Sequence, residues 1–304
     1  MSTPLPPAAA PAGPHPPAGP NHAAAFDSRC VPVPAALRPY VDALLAVEVG
    51  AIAPQPLWVA PHESLMLTVQ LGRGADCCIE AKGEHGQNTC LTGIREWTGS
   101  FVPAGRCITL FALLTPLGSM HVLDSQPLAP LPRIRARVAE LLDRRTTIGL
   151  ESEVALARGL EAKLRVFARW IESRIATGRR QATPAVRAAR AAMRLLQHPA
   201  IAIDELAREA MVSRRQLERN FAHWIGTSPR HLAQVARLQS VSRHARGGAG
   251  LADVAAASGY ADQAHMTRAV RQLTGLTPRQ FVQSMRAPWA GTFRAVTSGG
   301  TIYL

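Results

Sequence analysis

The residues whose types and spacing could do chemistry fall in two copies of one pattern in the C-terminal third. These are Leu206-Ala207 through Gly226 to Pro229, and Val254-Ala255 through Gly275 to Pro278. Each copy starts with an apolar-alanine pair on a short expected helix and crosses a tight turn. It then enters a second helix ending in glycine and closes on Ser228-Pro229 or Thr277-Pro278. That order is the order of a helix-turn-helix unit, and the chemistry it serves is the reading of double-stranded DNA. Leu217 aligns with Met266, Arg219 with Arg268 and Pro229 with Pro278, whereas Leu206 aligns with Val254, so the second turn is longer by one residue.

Such residues work only if the backbone holds them. Ala207 and Ala255 fall where the two helices of a unit cross, and a small side chain there permits close backbone approach. Leu217 with Phe221, and Met266 with Val270, are spaced i to i+4, which turns each pair into the core and leaves the opposite face for solvent or DNA. Ser213 and Asp262 precede the second helices as N-caps, whose side-chain oxygens accept backbone N–H groups of the first turn. Gly226 and Gly275 fit the helix stop that needs left-handed backbone. Thr183-Pro184, with Thr as N-cap and Pro at the first helical position, opens a helix over Ala185 to Gln197.

With these residues in place, the chain resembles the AraC/XylS family of bacterial transcription regulators from Thr183 to Arg286. The second copy carries the stronger match: Gly259-Tyr260-Ala261-Asp262-Gln263-Ala264-His265-Met266-Thr267-Arg268, then Gly275-Leu276-Thr277-Pro278-Arg279-Gln280-Phe281. Ser228-Pro229-Arg230-His231-Leu232, followed by Arg237-Leu238, looks like the family's linker helix. Two departures stand out: Met211 takes a turn place where the family often has a small residue or glycine, and Val270 replaces its usual phenylalanine. The resemblance implies that DNA is met by Arg214, Arg215, Glu218 and Arg219 in the first unit, and by Gln263, Ala264, His265, Thr267 and Arg268 in the second. Arginine can pair with two acceptors on guanine, glutamine does the same on adenine, and glutamate accepts from cytosine. Arg215, Glu218, Arg219, His265 and Arg268 are the expected base contacts, while Arg214, Arg230, Arg271 and Arg279 are expected on phosphates. A solvated face or intradomain ion pairs are the plainer reading of some of these arginines.

The charge agrees with a polyanionic partner. The formal net charge is +13, and residues 183–286 hold 15 arginines against 6 acidic residues, a surplus of +9. Arginine-rich codon usage explains why Lys82 and Lys163 are the only lysines, but not the surplus over acids. At 304 residues and 47% hydrophobic content the chain suffices for two domains with cores. No window approaches the roughly 18 to 20 apolar residues of a membrane span, so no membrane partner is expected. Residues 1–25, mostly Ala and Pro without Lys or Arg, read as a disordered extension or as a start codon placed too far upstream, and lack the positive start of a secretory signal. Cys30, Cys77, Cys78, Cys90 and Cys107 form no C-x-x-C pair, which fits a reduced, cytoplasmic compartment. Cys77-Cys78 with Cys90 and His85 could make a thiol sensor or metal site, but packing cysteines in strands are the favoured reading.

Before the repeat the texture changes, and the whole reads as an α+β chain: a β-rich front domain, a cupin-like barrel or sandwich with helices, followed by an all-α double helix-turn-helix. Short β-like runs cover Leu57 to Ala60, Leu65 to Gly72, Asp76 to Ala81, Gly99 to Phe101 and Cys107 to Leu114. Pro132 to Asp143 and Glu151 to Ala176 read as amphipathic helices. In the second, Leu156, Leu160, Leu164, Phe167, Trp170 and Ile171 form the inward stripe, and Arg158, Lys163, Arg165, Arg169 and Arg174 lie on other faces. Thr115-Pro116-Leu117-Gly118 reads as turn chemistry. The expected divisions are an extension 1–25, a front domain 26–176, a linker 177–182, a reader 183–286 and a tail 287–304 of no assigned role.

An enzyme is not expected. His62, Glu63, Glu80, His85 and His121 lack the His-x-His spacing of a catalytic cupin, and no phosphate loop, Gly-x-Ser-x-Gly elbow or His-Glu-x-x-His helix occurs. No metal and no cofactor are expected. The resemblance implies a small-molecule effector and a second copy of the chain as partners of the front domain, and RNA polymerase if the protein activates. Two other readings remain open: an enzyme-like front domain tethered to DNA, and a nonspecific basic DNA coater.

Overall fold

The computed structural model describes residues 26–49, 57–59, 61–72, 89–94, 99–101, 107–124, 126–128, 136–142, 144–178, 183–245 and 249–284. The expected extension, the tail, the run 76–81, the Cys77-Cys78 pair, Glu80 and His85 lie outside them.

The front part is an antiparallel sheet. Its strands are β1 (Phe26–Val31), β2 (Val41–Val49), β4 (Leu65–Leu71), β5 (Thr89–Thr92), β7 (Cys107–Leu114) and β8 (Ala136–Arg137), in the order β1-β2-β7-β4-β5-β8. A separate pair joins β3 (Leu57–Val59) to β6 (Gly99–Phe101). Four runs expected from the sequence are therefore strands at nearly the expected bounds: β3, β4, β6 and β7. The centre is β2, β7 and β4, with Leu44 opposite Ala112 and Leu67 opposite the same Ala112 from the other side. Alternation divides these strands between two faces. Leu44, Ala46, Leu65, Leu67, Leu110 and Ala112 enter the main core, whereas Ala43, Met66 and Leu113 form a second small cluster.

Thr115 is more than turn chemistry. It caps α1 (Pro116–Val122), accepting from the Gly118 N–H at 3.0 Å, with Pro116 in the first turn where a missing N–H costs nothing. Gly118 is fixed by contact, since a Cβ there would lie 1.9 Å from the Tyr40 carbonyl oxygen.

Two helical expectations need correction. Of the run 132–143, the helix α2 covers only Val138–Leu141 and follows β8 directly. The expected helix 151–176 is two helices, α3 (Arg144–Leu156) and α4 (Leu160–Thr177), broken where Gly159 adopts φ +80°. Lys163, expected on an outer face, is buried: its ammonium donates to the carbonyls of Val154 at 2.7 Å and Ala155 at 3.2 Å. It satisfies the orphan acceptors at the end of α3, and burial lowers its pKa. Leu156, expected in the buried stripe, is 83% exposed because it ends α3 before the break. Leu164, Phe167 and Ile171 do enter the main core against the sheet.

The C-terminal part is helical: α5 (Thr183–Gln197), α6 (Ile203–Glu209), α7 (Arg214–Trp224), α8 (Pro229–His244), α9 (Leu251–Ala257), α10 (Gln263–Thr274) and α11 (Pro278–Ser284). One core gathers Leu206, Ala207, Leu217, Phe221, Leu232 and Val235, and a second gathers Leu238, Val241, Val254, Ala255, Met266, Val270 and Phe281. Both expected alanine crossings and both inward pairs are thus buried, and each large side chain contributes about 1.5–3 kcal/mol. Helix α8 gives its first half to one core and its second half to the other. No helix among the described residues is long and apolar enough to cross a membrane.

Candidate nucleic-acid interface

The second helix of each unit, α7 and α10, is locally specified at both ends. The Ser213 hydroxyl accepts from the Gln216 N–H at 3.2 Å, and the Asp262 carboxylate accepts from the His265 N–H at 2.6 Å. Such caps contribute about 1 kcal/mol each. Past the far ends, Gly226 and Gly275 adopt φ +76° and +73°, the left-handed conformation anticipated for them. In the first turn Met211 takes φ +52° and stands 83% exposed, whereas the matching place in the second copy holds Gly259 at φ +75°.

With Leu217, Phe221, Met266 and Val270 inward, the other faces of α7 and α10 are open. Arg214, Arg215, Glu218 and Arg219 are exposed on α7, as are Gln263, Ala264 and Arg268 on α10, while His265 and Thr267 are half-buried. The arginines stand in different surroundings. Arg214 donates to Glu218 at 3.1 Å and to Asp204 of α6 at 3.3 Å, and these carboxylates raise its pKa, Glu218 most. Arg219 donates to the Gln216 side-chain oxygen at 2.8 Å, and the Gln216 amide donates to Asn220 at 2.7 Å. Arg215 and Arg268 have no side-chain partner among the described residues. On α10 the Thr267 hydroxyl donates to the Gln263 carbonyl at 2.8 Å, and the His265 ring meets Tyr260 edge-on at 5.4 Å between centroids. Burial pushes the Tyr260 phenol up to about 12. Asp204, Gln216 and Asn220 escaped the sequence reading. Gln216 and Asn220 carry a signal that could have found them, because Gln and Asn at i and i+4 bond on a helix surface.

Arg230, Arg271 and Arg279 are exposed near helix ends on α8, α10 and α11. The front part reaches the first unit directly: Ile94 and Met120 join its core, and the Leu128 N–H donates to the His223 carbonyl of α7 at 2.9 Å. It also reaches α8, where Gln239 donates to the Pro61 carbonyl and Arg243 pairs with Glu63. No front-part side chain belongs to the described core of the second unit.

A family model described as a helix-turn-helix domain matches residues 206–284. No curated protein matches the chain. Among solved structures, the C-terminal domain of AraT, a response regulator from Geobacillus stearothermophilus, is 20% identical, covers 32% of this chain and 84% of its own, and superposes with a TM-score of 0.31. A DNA-binding transcriptional dual regulator from Escherichia coli K-12 is 20% identical over 32% of this chain and 90% of its own, with a TM-score of 0.29. ToxT from Vibrio cholerae O395 is 10% identical over 86% of this chain and 98% of its own, with a TM-score of 0.44.

Proposed function

We propose how this DNA-binding transcription regulator, which carries an AraC-type helix-turn-helix domain at residues 206–284, engages its operator. Helices α7 and α10 enter two successive major-groove segments on one DNA face, about 34 Å apart. Arg215, Glu218, Arg219, His265 and Arg268 meet base edges, with Gln263, Ala264 and Thr267 alongside, and Arg214, Arg230, Arg271 and Arg279 hold phosphates. The observation that supports this reading is the exposure of Arg219 and Arg268 at equivalent places on two capped helices whose opposite faces are buried. The Arg214–Glu218 pair is no obstacle. Its side chains are 57% and 49% exposed, so the pair is worth little in water and DNA can redistribute it.

The divisions 26–176 and 183–286, joined by 177–182, are then sensor, reader and linker. The front domain regulates rather than catalyses. A small-molecule effector acts on the reader by binding two states of the front domain with different affinity, and the contacts of that domain with α7 and α8 support such a route. Pairing with a second copy, contact with RNA polymerase during activation and a cytoplasmic location complete the proposal.

The test is selection of genomic fragments bound by the intact chain, repeated with Arg219→Ala and Arg268→Ala together. A discrete two-part motif that disappears in the double variant is expected. Diffuse, salt-sensitive binding of unchanged pattern would make the protein a general DNA coater. The sensing half is checked by a metabolite screen, where an effector changes DNA affinity or promoter output. Turnover of a metabolite by the front domain would overturn its regulatory assignment.

A further inference from the structure

We infer that Gln216 is a positioning residue that sharpens base selection by Arg219. The inference rests on the proposed reading of Arg219 as a base contact. The Asn220 side chain is only 6% exposed, on the same helix as the inward pair Leu217 and Phe221. Its carbonyl oxygen accepts the Gln216 amide N–H at 2.7 Å, which decides the way that amide faces. The Gln216 oxygen is thereby left to accept from the Arg219 guanidinium at 2.8 Å. A chain of two hydrogen bonds thus runs from a buried asparagine to the tip of an exposed arginine.

An unrestrained arginine loses much rotamer freedom when it docks on guanine, and it can also turn to meet a neighbouring base. A guanidinium already held in one plane loses less on binding, and it offers its two-donor edge in one direction. Gln216 therefore favours the right base and withholds the alternatives.

The repeat supplies an internal comparison. The second copy has His265 at the place of Gln216 and Ala269 at the place of Asn220. Alanine offers no side-chain acceptor, the His265 ring meets Tyr260, and Arg268 is exposed without a side-chain partner among the described residues. The two units share a backbone plan but differ in this support, so the base pair under Arg219 is chosen more stringently than the one under Arg268.

The experiment is selection of the full chain on a randomised double-stranded DNA library, sequenced for wild type, Gln216→Met, Gln216→Ala, Gln216→Glu and Arg219→Ala. The Met and Ala variants are expected to lose preference about three- to tenfold at one position. That position is the one abolished by Arg219→Ala, and the rest of the motif and the nonspecific affinity stay unchanged. Gln216→Glu keeps an oxygen for Arg219 but cannot donate to Asn220. With the Asn220 amide turned to donate to the carboxylate, the sharpness at that position is expected to hold while every sequence is weakened alike near the phosphates. If Gln216→Met does not fold, as read by circular dichroism, Gln216→Ala decides. Unchanged preference in the Met and Ala chains, or an equal loss at all positions, overturns the positioning role. An Arg219→Ala chain with an unaltered motif brings down the base-contact reading itself.

Discussion

Gln239 of the linker helix, fully buried, donates its side-chain amide to the carbonyl oxygen of Pro61 in the front part over 2.6 Å. One turn later on the same face, Arg243 meets Glu63 at 3.3 Å, with the two side chains 29% and 15% exposed. The front part thereby grips the one helix that both cores share. Gln239→Leu fills a similar volume but leaves the Pro61 oxygen without its donor. We expect a loss of about 1–3 kcal/mol in chemical denaturation of the full chain, whereas a loss below a few tenths would mean that water replaces the bond.

Between those two contacts sits His62, buried, its Nδ1 accepting from the Ser64 N–H at 2.9 Å. Burial, the largest cause, with the nearby Arg243 cation, drives its pKa down to about 3. The unfolded chain takes up this proton near pH 6.5, so between about 6.5 and 3 the unfolded state binds more protons and stability falls as pH drops. Above pH 7 neither state is charged and the contribution vanishes. Denaturation at pH 7.5 and pH 5 is expected to cost the wild type about 2 kcal/mol more than a His62→Asn chain. Parallel losses in the two chains would show that His62 titrates normally.

Met211 holds a left-handed backbone that its side chain disfavours, and it exposes a large apolar group. The second copy solves the same turn with Gly259. Met211→Gly is expected to stabilise the chain by about 1 kcal/mol without altering the selected DNA motif. A lower melting temperature would indicate that the methionine contributes packing that outweighs its backbone strain.

The helix-turn-helix half is legible in the sequence because its signals are local. Ser213, Asp262, Gly226 and Gly275 each act within one turn of their own position, and the inward pairs are read from i to i+4 spacing. The front sheet is less legible. In β2, Ala43 to Val47 are all buried, and a short continuous apolar run cannot be told from helix by periodicity. β1 carries the polar run Asp27-Ser28-Arg29 at its centre and pairs along its whole length with β2. The break at Gly159 is hidden in the sequence because the apolar period of α4 continues backwards through it; in the structure the positive φ of Gly159 and a buried lysine reaching Val154 and Ala155 mark the end of α3. On the reading helices the exposed faces were legible. The partners of Arg214 and Arg219 were not, since a side chain's choice among several neighbours within reach is not a periodic property.

The shared helix α8 also fixes a phase. Its 16 residues make a rod about 24 Å long, with the first unit built around one end and the second around the other. Adding a single residue at its middle would carry the second unit forward by about 1.5 Å and swing it about 100° around the axis. Its arginine edge would then face away from the groove proposed for Arg219. The length of this helix is thus a gauge for the operator: the register between the two halves of the DNA site is counted in helical residues.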